Sequence, residues 1–355
     1  MTYKTVKINT SSSQKTESSI LMIYTGGTLG MVYDPVDGHL VPFDFVNILD
    51  RMPEINRLKF ELTVVTFNQL IDSSDMKPSN WANMARLIYQ NYHNYDSFVI
   101  IHGTDTMAYS ASALSFMLEN LNKPVILTGA QLPIGAARTD ARENLITALE
   151  IASAKLYGEP KVPELCIYFN SYLLRGNRAK KIESVHFNAF SSENYPSLAH
   201  AGIRIDYNTP FIQAYQPERP LLLHPNMDEN VTILKLFPGI SPKVVQSVLN
   251  IDNLKGVVLE TYGSGNAPTE KWFLNCLREA VERNIVIFNV SQCMGGRVTQ
   301  GRYQSSKILQ EIGVVSGSDI TSEAAITKLM HLLGKESNTE SVRWQLGRNI
   351  CGEMS

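Results

Sequence analysis

Cysteine is scarce in this chain, and what there is stands apart. Cys166, Cys276, Cys293 and Cys351 form no CxxC pair and no Cys/His cluster. Neither a disulfide framework nor a zinc site is expected, and free thiols in a reducing compartment are the better reading. Lysine and arginine nowhere form a block, and the formal net charge is −2. That leaves no electrostatic footprint for nucleic acid and no polybasic membrane patch. Long hydrophobic runs are also missing. Ile20 to Tyr24 is too short to span a bilayer or to form the apolar part of a secretory signal, so no membrane association is expected. Residues 1–19 are polar and rich in Ser and Thr; they are expected to be a disordered tail, and a cytoplasmic location follows. Neither the GxxxxGK(S/T) phosphate loop nor a GxGxxG turn after the first strand is found, which argues against a nucleotide site.

What is present is the pattern of a packed α/β protein. Hydrophobic residues make up 44% of the chain and charged residues 19%, enough for a sizeable core, and 355 residues suggest two domains. Short apolar runs predict strands at Ile20–Tyr24, Leu62–Thr66, Ser97–Ile101, Val125–Thr128 and Leu165–Phe169. Helical spacing predicts helices over Pro78–Tyr92, Met107–Leu121 and Asp140–Leu156. This alternation predicts a mostly parallel sheet flanked by helices over 20–206. The proline-rich stretch 207–229 breaks the pattern and reads as a linker. From 230 to 355 the alternation resumes, with strands at Val231–Leu236, Gly256–Thr261 and Ile285–Val290 and helices at Pro242–Asn250, Thr269–Arg283, Ser322–Leu333 and Thr339–Gly347. A second, smaller α/β domain is expected there.

Ligands of open parallel sheets bind beyond the carboxyl ends of the strands. The segments found there are Thr25-Gly26-Gly27-Thr28, His102-Gly103-Thr104-Asp105-Thr106 and Thr128-Gly129-Ala130-Gln131. Small, hydroxyl-bearing and acidic residues therefore converge on one edge, the default active site. Each segment also has a plainer reading. The glycines suit a tight turn, Asp105 suits a helix cap, and His102 suits a structural hydrogen bond. Asp72-Ser73-Ser74-Asp75 suits a polar cap or a carboxylate cradle, and Arg175 to Lys181 suits a solvated basic loop.

Taken together the segments are more specific than any one of them. Tyr24 to Met31, Asp72 to Met76, His102 to Leu121, Arg175 to Arg178, Tyr262 to Pro268 and Gln292 to Met294 closely resemble the type I, cytoplasmic L-asparaginases, from about residue 20 to the C-terminus. The resemblance implies hydrolysis of L-asparagine to L-aspartate and ammonia. It implies Thr28 as nucleophile and Thr104, Asp105 and Lys181 as a second catalytic group. Asp72, Ser73 and Ser74 would hold substrate together with Thr104 and Asp105, and Asn266 would be lent by a neighbouring subunit of a homotetramer built as a dimer of intimate dimers. No metal or organic cofactor is implied. Covalent catalysis suits the chemistry, because it splits attack on a poor electrophile into acylation and hydrolysis. A lysine serves as base only when neutral; burial favours that form and a neighbouring carboxylate opposes it, so Lys181 is read either as the base or as a charged group orienting Thr104. Asp105 suits the substrate's α-ammonium, and Ser73 with nearby N–H groups suits its α-carboxylate.

The chain departs from the pattern in two places. Many relatives carry a tyrosine in the lid loop after the first motif, where Asp37 to Pro42 stands here, so His39 or Tyr33 would take its place. Some members respond to asparagine at a regulatory site with an arginine shortly before the Tyr-Gly-x-Gly-Asn-Ala-Pro stretch. Glu260 occupies that position, and Lys180 stands where a threonine is common. A carboxylate cannot grip an α-carboxylate as a guanidinium does, so regulation of that kind is expected to be weak or absent. Two other readings stand beside it: the amidase subunit of a tRNA-dependent amidotransferase, whose extra N-terminal domain residues 1–19 are too few to form, and a non-catalytic amino-acid-binding or nucleotide-binding module, for which the chain supplies no nucleotide motif.

Overall fold

The computed structural model describes residues 2–8, 17–34, 37–43, 45, 48, 52–301 and 304–355. They form two compact units, one of residues 1–192 and 196–223 and one of residues 193–195 and 224–355.

The first unit is built on a nine-stranded sheet. Its strands are β1 (Tyr3–Ile8), β2 (Ser18–Tyr24), β5 (Phe60–Phe67), β6 (Ser97–Ile101), β7 (Val125–Thr128), β8 (Leu165–Phe169), β9 (Tyr172–Arg175), β12 (Ala199–Ala201) and β13 (Ile205–Tyr207). A small hairpin of β3 (Met31–Tyr33) and β4 (Leu40–Pro42), and another of β10 (Lys180–Lys181) and β11 (Phe190–Ser191), stand outside that sheet. The strand order is β1-β5-β2-β6-β7-β8-β9-β12-β13. The five strands from β5 to β8 are mutually parallel, and the flanking strands are antiparallel. Every residue of β6, β7 and β8 is buried, as a sheet covered on both faces requires. Its fully described helices are α1 (Pro78–Asn91), α2 (Met107–Met117) and α3 (Ala141–Ser153), with α2 and α3 both packed on β8.

Three expectations need correction in this unit. Tyr3–Ile8 is a strand rather than part of a disordered tail: it runs antiparallel to β5 from Tyr3 opposite Phe67 to Ile8 opposite Leu62, and β2 already begins at Ser18. Its alternation, with Val6 and Ile8 turned further inward than Lys7, was masked by lysines and threonines. The helix expected to reach Leu121 stops at Met117. Leu118–Glu119 instead pairs with Leu222–Leu223, and Asn120 follows in the left-handed region at φ 64°. The stretch read as a linker is largely tied to the first unit up to Leu223. Its backbone is held by side chains: Gln213 N–H donates to Glu164 Oε1 at 2.7 Å and Gln216 N–H to Asn122 Oδ1 at 2.7 Å.

The second unit carries four parallel strands in the order β14 (Val231–Lys235), β15 (Gly256–Thr261), β16 (Val286–Ser291) and β17 (Val315–Ser316). Helices α4 (Pro242–Leu249), α5 (Lys271–Glu282), α6 (Gln304–Ile312), α7 (Ser322–Lys335) and α8 (Thr339–Leu346) accompany them. Val257, Leu259, Phe273, Leu277 and Ile287 lie at the centre of its core.

Candidate active site

The strand order fixes where a site forms. From β2 the chain passes to β5 on one side and later to β6 on the other, so a crevice opens beyond the carboxyl end of β2 where the direction reverses. The loops after β2, β5 and β6 meet there, and glycines let them meet. Gly27 has φ 92°, and a Cβ on it would fall 2.5 Å from the Gly103 nitrogen. A Cβ on Gly103 would fall 2.6 Å from Ser73 Oγ. The backbone of the Thr28 turn is thus stacked on the loop that carries Thr104, and that loop on the segment that carries Ser73. Only glycine permits such contact.

The two threonines around the glycine pair have different fates. Thr25 is buried, and its hydroxyl donates to Ile101 O at 2.9 Å, tying the turn to β6. Thr28 opens a short 3-10 turn, Thr28–Gly30, and is half-buried. Among the described residues, no group is hydrogen-bonded to its hydroxyl.

Lys181 comes to the site on β10 and is bonded twice. Its Nζ donates to Thr104 Oγ1 at 2.8 Å and to Asp105 Oδ1 at 2.7 Å. The lysine side chain is 17% exposed and that of Asp105 66%, so the amine is largely enclosed while the carboxylate faces solvent. Since Thr104 Oγ accepts from the lysine, its own hydrogen is free to point elsewhere. Gln131 Oε1 lies 3.5 Å away, at the limit of a hydrogen bond.

In the 71–75 segment, Asp72 Oδ1 accepts from the backbone N–H and the hydroxyl of Ser74. Those bonds, the hydroxyl's first, hold the Asp72 carboxyl below its usual range. Its charge is therefore used in shaping its own turn. Ser73 is buried, and its carbonyl accepts from Thr106 Oγ1 at 2.6 Å, which joins this segment to the Thr104 loop. Asn266 belongs to the second unit, where Tyr262 and Asn266 form a bridge after β15. Tyr33 and His39 both face solvent, and His39 Nδ1 lies 3.9 Å from Asp37 Oδ2.

His102 takes the structural role expected of it, and Trp81, Ser110 and Asp140 join it as supporting residues that motif reading did not single out. His102 is fully buried, and burial pushes its imidazole down to about 4, so it is neutral at neutral pH. Its Nδ1 lies 2.6 Å from Gly103 O. A carbonyl only accepts, so Nδ1 carries the proton. Ser110 then donates to Nε2 at 2.8 Å and accepts from Trp81 Nε1 at 2.8 Å. This buried chain pins the peptide that precedes Thr104. Asp140, which precedes α3 and resembles a helix cap, instead accepts from the N–H groups of Gln131 and Leu132 and so fixes the loop after β7. Among the described residues no cluster of His, Cys, Asp and Glu is placed to hold a metal.

An enclosed lysine is thus shared by a threonine and a carboxylate beside a turn of glycine and threonine. Residues 19–213 match the family described as Asparaginase, N-terminal, and residues 230–345 match the Glutaminase/Asparaginase C-terminal domain; the chain belongs to the asparaginase family and is an amidohydrolase of that class. It is 44% identical over 346 residues to L-asparaginase 1 of Escherichia coli (strain K12), covering 96% of this chain and 98% of that one. It is also 40% identical to a 60 kDa lysophospholipase of Mus musculus, over 96% of this chain and 63% of that protein. The crystal structure of L-asparaginase I from Vibrio cholerae O1 biovar eltor shares its fold with a TM-score of 0.85 at 39% identity, over 95% of this chain and 99% of that one.

Proposed function

We propose that the protein hydrolyses L-asparagine to L-aspartate and ammonia through a covalent intermediate on Thr28. The observation that carries this reading is Lys181, bonded at once to Thr104 and Asp105 on a loop stacked against the Thr28 turn. Thr28 Oγ attacks the side-chain amide carbon, and its proton is passed on to the departing nitrogen, which leaves as ammonia. A water then attacks the β-aspartyl ester, frees aspartate and returns the proton to Thr28. Thr104, held by Lys181, guides the water or the proton. The N–H groups of the Gly27–Thr28 turn and of Thr104 stabilise the oxyanion. Asp105 receives the α-ammonium, and Ser73 with nearby backbone N–H groups receives the α-carboxylate. Asn266 of a neighbouring subunit completes the site in a homotetramer, and the protein works in the cytoplasm. The relationship to the Escherichia coli enzyme supports the substrate, and no described helix is long and apolar enough to cross a membrane.

The test is ammonia release from L-asparagine and L-glutamine by wild-type and Thr28→Ala protein. The expected result is turnover of asparagine that falls by at least about a thousandfold in the variant. Glutamine, one methylene longer, is expected to trail by about 10–200-fold in kcat/KM. Turnover that persists in folded Thr28→Ala would overturn the nucleophile assignment. No turnover of either amide by wild type would move the protein to a different small amide.

A further inference from the structure

We infer that Tyr24 is a positioning residue for the reaction, setting the nucleophile's turn through the carbonyl of Gly30; this rests on Thr28 being the nucleophile. Tyr24 is the last residue of β2 and is fully buried. Its hydroxyl donates to Gly30 O at 2.7 Å, at the far end of the turn that Thr28 opens. The contact is built in from both sides. A Cβ on Gly30 would fall 2.3 Å from Tyr24 Cζ, so the ring occupies the space that any other residue at position 30 would need.

The Gly30 carbonyl also accepts from Phe43 N–H at 2.8 Å. It is therefore the point at which the end of the Thr28 turn, the root of the β3–β4 hairpin and the end of β2 are fastened together. Gly30 N–H in turn donates to Gly27 O at 3.2 Å, which closes the turn around Thr28. A buried hydroxyl spent on a carbonyl two residues beyond the nucleophile fixes the direction from which Thr28 faces the crevice. Orientation of this kind is a large part of covalent catalysis, and a small displacement is costly.

The ring is held in its turn. Phe45 packs on it with ring centroids 4.7 Å apart. The hydroxyl's bond to Gly30 O adds to this packing in fixing the ring. The groups that hold substrate in the proposed reading sit on other loops, at 72–74 and at Asp105. Loss of the Tyr24 hydroxyl is therefore expected to act on kcat and to leave KM largely unchanged.

The experiment compares asparagine kinetics and thermal unfolding of the full-length wild type, Tyr24→Phe, Phe45→Leu and Thr28→Ala. Phe45→Leu loosens the packing of the ring and keeps its hydroxyl. The expected result is a fall in kcat of about tenfold for Tyr24→Phe, with KM within about twofold of wild type and with Phe45→Leu near wild type in kcat at an equal or greater loss of Tm. Wild-type kcat in Tyr24→Phe overturns the inference. So does an equal fall in Phe45→Leu at matching loss of Tm, since that marks a structural role alone. Inactive Thr28→Ala beside fully active Tyr24→Phe would remove this inference and leave the nucleophile standing, whereas active Thr28→Ala would remove both.

Discussion

The behaviour of single side chains at this site follows from how each is buried. Lys181 spends its donors on Thr104 and on the exposed Asp105. An ion pair with one partner two-thirds exposed adds little to stability. Lys181→Met is therefore expected to lower kcat by about a hundredfold or more while Tm moves by no more than about 2 °C, measured by ammonia release and calorimetry. His102 behaves in the opposite way. Its imidazole, pushed from 6.5 to about 4 by burial, takes up its proton in the unfolded chain before it does in the folded one. The unfolded state thus binds more protons between these values. Stability is full above about pH 6.5 and falls by on the order of 3 kcal/mol as the pH drops to about 4. Urea unfolding at a series of pH values is expected to show this slope in wild type. His102→Gln, less stable at pH 7, is expected to lose part of the slope; an unchanged slope would show that His102 is not its source.

At the scale of elements, the site depends on loops that touch backbone to backbone. Gly27→Ala would place a Cβ 2.5 Å from the Gly103 nitrogen and force a residue to φ 92°. Gly38 also has positive φ, 69°, but a Cβ there meets open space. Gly27→Ala is expected to lose activity by about a hundredfold and to unfold at lower denaturant. Gly38→Ala is expected to cost only about 1–2 kcal/mol, from its backbone conformation. Denaturation midpoints and kcat of the two variants decide this. Strand β1 precedes the region matched by the family and seals the edge of β5. Removing residues 2–8 is expected to leave asparagine turnover within a few-fold of wild type and to lower Tm. It also bares a strand edge able to pair between molecules, so light scattering on heating is expected to rise earlier.

At the scale of the whole molecule, the second unit ends on a buried charge pair. Lys328 Nζ lies 2.6 Å from Glu353 Oε1, both side chains being fully buried, and the same amine donates to the carbonyls of Leu346 and Arg348. Glu353 accepts from the N–H groups of Ile350 and Cys351, so the pair fastens the C-terminal residues to α7. Breaking such a pair leaves an uncompensated charge in the core. Glu353→Ala is expected to destabilise the protein by about 3–5 kcal/mol, read from chemical denaturation, against a near-neutral Lys307→Ala on an exposed helix pair. Glu260 stands where the resemblance implies a regulatory arginine. It is buried, accepts from Ser322 Oγ at 2.6 Å and lies 3.7 Å from Lys235. A carboxylate already engaged in this way suits no second carboxylate, so asparagine saturation is expected to be hyperbolic; sigmoidal curves that Glu260→Ala abolishes would count against it.

Much of this was determined by the sequence itself. Ser97–Ile101, Val125–Thr128, Leu165–Phe169 and Gly256–Thr261 are strands at the residues where continuous apolar runs put them, because a strand buried on both faces needs no neighbour to reveal it. The Gly26-Gly27-Thr28 and Thr104-Asp105 segments were equally visible, since turns and caps are local chemistry. Tertiary structure decided the rest. Tyr3–Ile8 became a strand only because β5 offered it an edge, and the run to Leu223 was held by Glu164 and Asn122, residues far away in sequence. That Lys181 is the partner of Thr104 depended on the hairpin after β9 being brought to the loop after β6, and that Thr25 is a tie to Ile101 depended on β2 pairing with β6. Contacts across some 75 residues of sequence, such as Lys181 to Thr104 with a separation of 77, leave no periodicity and no local signature; they exist only once the sheet is assembled.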